Sequence, residues 1–186
     1  MTVFLIILVV IAVFGFMVYN NVVAKREAVI SSESMISVQL DRRGKVFDSL
    51  INVVKKYMEH ENSIFTRIAE LRAQTMNSNA SQSREAQDEL SKIVNDGSIK
   101  IALENYPELR SNENVQQLQE EIVSTENKLA FAKSGYNNTL ETYKAYIASF
   151  PAVFVVKFFP QLVIDKDYWR LDEARIAKEE ERRVEL

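Results

Sequence analysis

The chain has 186 residues, a net charge of −3 and a composition that is 47% hydrophobic and 26% charged, enough to bury one sizeable core. There is no basic excess, so a nucleic-acid role has no electrostatic footprint. No cysteine is present, which excludes disulfides, thiolate zinc sites and cysteine nucleophiles. Only four glycines and three prolines punctuate it, so turns are few and long helices are expected in place of many strands.

The first element is Val3–Tyr19, VFLIILVVIAVFGFMVY, seventeen apolar residues without a charge. At helical rise it measures about 26 Å, within the range of membrane spans, and uncharged Asn20 to Val23 can extend it. A buried core helix would need a domain that wraps it on every side, and the amphipathic remainder offers none. A cleaved signal peptide would want a positive n-region, whereas only Met1 and Thr2 precede the run. An uncleaved anchor over residues 1–21 is therefore expected. Lys25 and Arg26 follow the span, so the positive-inside rule places the N-terminus outside and the following domain in the cytoplasm.

From Val22 to about Gln74 no proline appears. One heptad seam reads Leu40, Phe47, Val54, Glu61, Ile68, and its companion reads Arg43, Leu50, Tyr57, Ile64, Leu71. The expectation is one rod of roughly seventy residues, about 105 Å long, running out of the membrane helix. Gly44 costs such a helix up to ~1 kcal/mol. Arg43 and Glu61 interrupt the seam. They read either as part of a binding site or, the reading adopted, as core residues paired with charges of a facing helix and fixing its register.

Thr75–Ser83, TMNSNASQS, reads as a polar loop, with Ser81 or Ser83 capping the next helix and Glu85 in its first turn. That helix carries Leu90, Ile93, Val94, Ile101, Leu103 and Tyr106, with a weak point at Asp96-Gly97 and an end at Pro107. Ser111 or Asn112 caps a third helix of nearly forty residues. Its seam is a strict seven-residue repeat: Val115, Ile122, Leu129, Tyr136, Tyr143, Phe150. The companion seam is Leu118, Thr125, Ala132, Thr139, Tyr146. After Pro151 the apolar AVFVVKFFPQLVI reads as a cover on the bundle or an interfacial element returning to the membrane. The first is preferred, because Phe158 and Phe159 could plug an open bundle end. Asp165 and Asp167 read as caps of a C-terminal helix, and residues 171–186 as a charged tail.

Nothing here supports catalysis. His60 is the single histidine, so multi-histidine zinc sites and a paired Glu-x-x-His di-metal site cannot form. There is no phosphate-binding glycine loop and no serine elbow. The chain is therefore expected to be non-enzymatic, without catalytic residues, metal or cofactor.

Several stretches resemble the LemA family of bacterial membrane proteins. They are QLDRR at Gln39–Arg43, His60-Glu61, AELRA at Ala69–Ala73, ENYPELRSNENVQQLQEEI at Glu104–Ile122, STENKLAFAKSGYN at Ser124–Asn137, and SFP at Ser149–Pro151. Tyr143-Lys144, where the family often has a second Tyr-Asn, and the polar loop after Gln74 depart from its pattern. The resemblance implies an all-α fold: an N-terminal transmembrane helix continuing into an antiparallel up-down bundle over residues 22–170, with the N-terminus outside. It implies no enzymatic activity. Val46-Phe47 and Ser63–Thr66 also resemble the family's magnetosome-membrane branch. Arg43, Glu61, Arg72, Glu126 and Asn137 stand out as candidate polar core or interaction residues. The expected role is a scaffold or assembly protein at the bacterial inner membrane. Its expected partners are the bilayer and another protein or a second copy, with no nucleic acid or small-molecule substrate. An accessory subunit of a membrane protease or quality-control system is the alternative, and magnetosome biogenesis a further one.

Overall fold

A computed structural model describes residues 1–55, 63–77 and 80–169. Among these the chain is all-α: α1 (Thr2–Val54), α2 (Ser63–Asn77), α3 (Ala80–Asn95), α4 (Ser98–Glu104), α5 (Pro107–Arg110), α6 (Glu113–Ala148) and α7 (Ala152–Phe158), then a 3-10 turn at Pro160–Leu162. Two compact units form, one from residues 1–35 with 132 onward and the other from Ile36–Phe131.

The apolar run is the opening third of α1. Its best eighteen-residue window has a mean hydropathy of 2.9 and is only 6% buried, so it is no core helix of a soluble protein. It is the one helix among the described residues long and apolar enough to cross a membrane. Further along α1, Val22, Val29, Ile36, Arg43 and Leu50 are all buried at seven-residue spacing. The seam seen in the sequence from Leu40 thus extends back to the end of the span.

The expected seventy-residue rod is corrected. α1 stops at Val54, after 53 residues or about 80 Å. The chain then returns, because Arg72 of α2 grips Asp48 of α1 at 2.7 Å, whereas on one straight helix these residues would lie about 36 Å apart. The reason is burial. A continuous rod would leave Ile68 and Leu71 in water, whereas the folded chain puts both into one core with Phe47 and Leu50. Gly44 belongs to this fold-back. A Cβ there would lie 2.8 Å from the Arg72 guanidinium, so the glycine is the space the arginine occupies.

α2 and α3 form an antiparallel hairpin. Arg67 grips Glu89 through both carboxylate oxygens, at 2.9 and 2.7 Å, and the Ser83 hydroxyl donates to the Thr75 carbonyl at 3.3 Å. The polar loop expected over Thr75–Ser83 is therefore mostly helix, with only residues 78–79 outside the described set. Ser81 and Ser83 lie inside α3 and do not cap it. The break at Asp96-Gly97 is real. Gly97 has a φ of 74°, a left-handed conformation that favours glycine, and Asp96 accepts the Ser98 amide at 3.0 Å. Restarting the helix there resets its inward face: Ile99, Ala102 and Leu103 are buried and Ile101 points out. Pro107 opens α5, where its missing N–H costs nothing.

Asn112 is the cap of α6, accepting the amides of Asn114 at 2.9 Å and Val115 at 3.4 Å. The seam from Val115 to Tyr143 is buried throughout. Its last expected member, Phe150, is exposed, because α6 ends at Ala148 and the helical phase is lost.

In the unit that contains the span, residues 163–169 leave helical structure and lie along α6 as a strap. The Tyr143 hydroxyl donates to the Leu162 carbonyl at 2.7 Å and accepts the Ile164 amide at 3.1 Å. Tyr136 donates to the Asp167 carbonyl at 3.1 Å. Lys144, at the departure from the family's second Tyr-Asn, donates to the Lys166 carbonyl at 2.7 Å, and Lys166 in turn pairs with Glu33 of α1 at 2.9 Å. Asp165 and Asp167 are therefore strap residues, and the helix they were expected to cap lies outside the described residues, as does the tail. The expected plug is corrected as well: Phe158 and Phe159 are exposed, because Ala152 and Leu162 supply the buried contacts of this segment.

The strap makes a prediction. Tyr143→Phe orphans a buried carbonyl and a half-buried amide, costing about 1–3 kcal/mol. Limited proteolysis of the full chain should then cut after Lys166 roughly tenfold faster, a tenfold change being about 1.4 kcal/mol. An unchanged cleavage rate would show that the tyrosine hydroxyl does not hold the strap.

Candidate functional site

The candidate polar residues fall at three places. Arg43 and Glu126 meet in the interior of the Ile36–Phe131 unit. Arg72 lies at the fold-back of the same unit, and Asn137 belongs to the strap of the other. Glu61, like His60, lies outside the described residues.

Arg43 stands in the α1 seam where the repeat otherwise supplies valine, isoleucine and leucine, and it is 1% exposed. A guanidinium placed there must find partners for its donors. One terminal nitrogen, Nη1, donates to Glu126 Oε2 and to Ser91 Oγ, each at 2.7 Å. The other, Nη2, donates to the Gln87 carbonyl at 3.1 Å and to the Gln87 side-chain oxygen. Four of the five N–H donors an arginine carries are thereby taken. Ser91 and Gln87 sit one turn apart on α3, and the Ser91 hydroxyl also donates to the Gln87 carbonyl at 3.1 Å. Beside Glu126, the buried Thr125 hydroxyl is shared between the Glu121 and Ile122 carbonyls, at 2.9 Å each.

Burial pushes the Arg43 guanidinium below the ordinary arginine range, and the Glu126 carboxylate 2.7 Å away opposes the shift. The layer therefore holds a paired charge whose donors are committed internally. Such an arrangement fixes which turn of α6 faces which turn of α1 and α3.

Arg72 is similarly committed. It donates to both Asp48 oxygens, at 3.1 and 2.7 Å, and to the Thr75 hydroxyl at 3.2 Å. Asn137 acts as a clamp: its amide nitrogen donates to the Trp169 carbonyl at 2.7 Å, and its oxygen accepts the Trp169 amide at 2.8 Å. An asparagine side chain here imitates a backbone partner for the strap.

Sequence reasoning missed Ser91, Gln87 and Asp48. A faint signal existed for the first, a small hydroxyl residue between the apolar Leu90 and Ile93. The strap had a clearer one. Tyrosines at the buried seam positions 136 and 143 must satisfy their hydroxyls, which calls for a chain segment alongside.

On the outer side of this unit, an open depression of about 640 Å³ is lined by Lys100, Gln119, Glu120, Val123, Ser124, Asn127, Lys128 and Phe131. Val123 and Phe131 are exposed there. Among the described residues no group of three or more His, Asp or Glu side chains converges as a metal site would require.

The LemA family model matches residues 32–184. The chain belongs to the LemA family. The match starts beyond the apolar run and covers the whole Ile36–Phe131 unit, α6, α7 and the strap, so the Arg43 layer and the Asn137 clamp lie inside the LemA region. No curated protein matches the chain.

Proposed function

We propose that this LemA-family chain is a non-enzymatic, membrane-anchored helical scaffold or assembly protein of the bacterial inner membrane. The observation that carries the reading is the pairing of Arg43, on the helix that begins as an exposed apolar segment, with Ser91 and Glu126 in the interior, and of Asn137 with the strap. A chain built so offers its surfaces for binding. By the positive-inside argument from Lys25 and Arg26, the N-terminus is outside and the bundle cytoplasmic. Trypsin added to spheroplasts should leave the bundle intact, and digestion from outside would refute this orientation.

The second reading, an adaptor or accessory subunit of a membrane protease or quality-control system, is favoured by the exposed Val123 and Phe131 at the open depression. Photo-crosslinkers placed at these two positions in native membranes separate the readings. Crosslinks to a second copy support the scaffold, and a reproducible protease subunit supports the adaptor. The absence of any protein adduct would overturn both. Neighbouring genes discriminate the finer settings, a protease cluster from a magnetosome cluster.

A further inference from the structure

We propose that the segment from Phe150 to Phe159 is a second membrane contact, an interfacial element whose aromatic face rests at the headgroup–acyl boundary beside the point where the span emerges. This rests on the reading of α1 as a membrane span. Phe150, Phe154 and Phe158 recur every four residues and are 78%, 52% and 81% exposed. They are three of the segment's four phenylalanines, and none of them enters the core. The buried side of α7 is supplied by Ala152, and that of the following turn by Leu162. Phe150 and Phe154 meet edge to face, with ring centroids 5.9 Å apart, so these two rings form one apolar surface on the outward face.

What covers that face is indicated by its neighbour. Phe159 packs edge to face on Tyr19, centroids 5.1 Å apart, and Tyr19 is the last residue of the apolar run. The aromatic element is therefore joined to the end of the span, at the depth where amphipathic side chains sit in a bilayer. Basic groups lie where headgroups would be: Lys157 reaches over the Phe154 ring at 5.8 Å, and Lys25 over the Tyr146 ring at 5.1 Å. A lysine with its stem along an aromatic face and its ammonium free to rise is the side chain such a boundary favours. Because the span holds the chain at the membrane, a short aromatic element needs little affinity of its own.

The absence of cysteine makes the test direct. Single variants Phe154→Cys, Phe158→Cys, Glu141→Cys on the exposed side of α6, and Ile6→Cys in the span are spin-labelled in the full-length protein. Each is reconstituted into vesicles of mixed phosphatidylethanolamine and phosphatidylglycerol. Collision with oxygen is compared with collision with a water-soluble nickel chelate. Labels at 154 and 158 are expected to favour oxygen severalfold more than the label at 141, though less than the label at 6. Water-like labels at 154 and 158, with a deep label at 6, would overturn this inference alone. Labels at 154 and 158 shielded from both reagents would also overturn it, showing a second copy or another protein on the face. A water-like label at 6 would remove the membrane reading itself.

Discussion

Arg43→Met should lower the thermal midpoint of the full-length protein in detergent micelles by about 6–20 °C. The substitution strips the Glu126 carboxylate of a partner 2.7 Å away in a site that is almost wholly buried. Breaking a buried pair from one side costs about 3–5 kcal/mol, and a chain of this size loses about 2–4 °C per kcal/mol. The loss belongs to the orphaned carboxylate more than to the pair. Arg43→Met combined with Glu126→Leu should therefore recover most of it, since an apolar replacement of both partners is often neutral or stabilising. Ser91 keeps a partner in that variant, because its hydroxyl already donates to the Gln87 carbonyl. The thermodynamic cycle over the four proteins isolates the coupling. An unchanged midpoint in Arg43→Met would show that the layer contributes no stability. A double variant that regains its midpoint but loses the photo-crosslinks would give the layer a role in binding.

Placing arginines in the span should abolish integration. Val9→Arg with Val13→Arg puts two charges on successive turns of the exposed apolar stretch. Each costs about 2.5–3.5 kcal/mol at the centre of an inserting helix. Together they outweigh the gain from a run that is near the lower length limit for a span. The wild-type chain should stay in the pellet after alkaline carbonate extraction, and the double variant should move to the supernatant. Retention of the double variant would mean that another element, the aromatic stripe of Phe150, Phe154 and Phe158 being the first candidate, anchors the chain. Loss of the wild type from the pellet would refute the span.

The fold and the candidate site were unequally legible. Periodicity located α6 closely, because each seam position from Val115 to Tyr143 is buried against something, and a seven-residue repeat records that regardless of the partner. It failed between Val54 and Ser63, since a heptad pattern is the same whether a helix runs straight on or folds back upon its own seam. Arg43 and Glu126 were both visible as polar residues in or beside seams. Their pairing was not, because nothing local relates residues 83 apart in sequence.

By itself the sequence determined the apolar run, the all-α class and the helix breaks at Gly97 and just before Pro107, each a consequence of composition or of one residue's backbone chemistry. Tertiary structure decided the rest. It turned Gly44 from a helix defect into the seat of Arg72, and Asn137 from a candidate site into a clamp on the strap. It also left Phe158 facing outward where a plug was expected. In each case the deciding quantity was which distant segment arrives alongside. That choice depends on how apolar area and hydrogen-bond partners can be satisfied together, and no stretch of sequence records it alone.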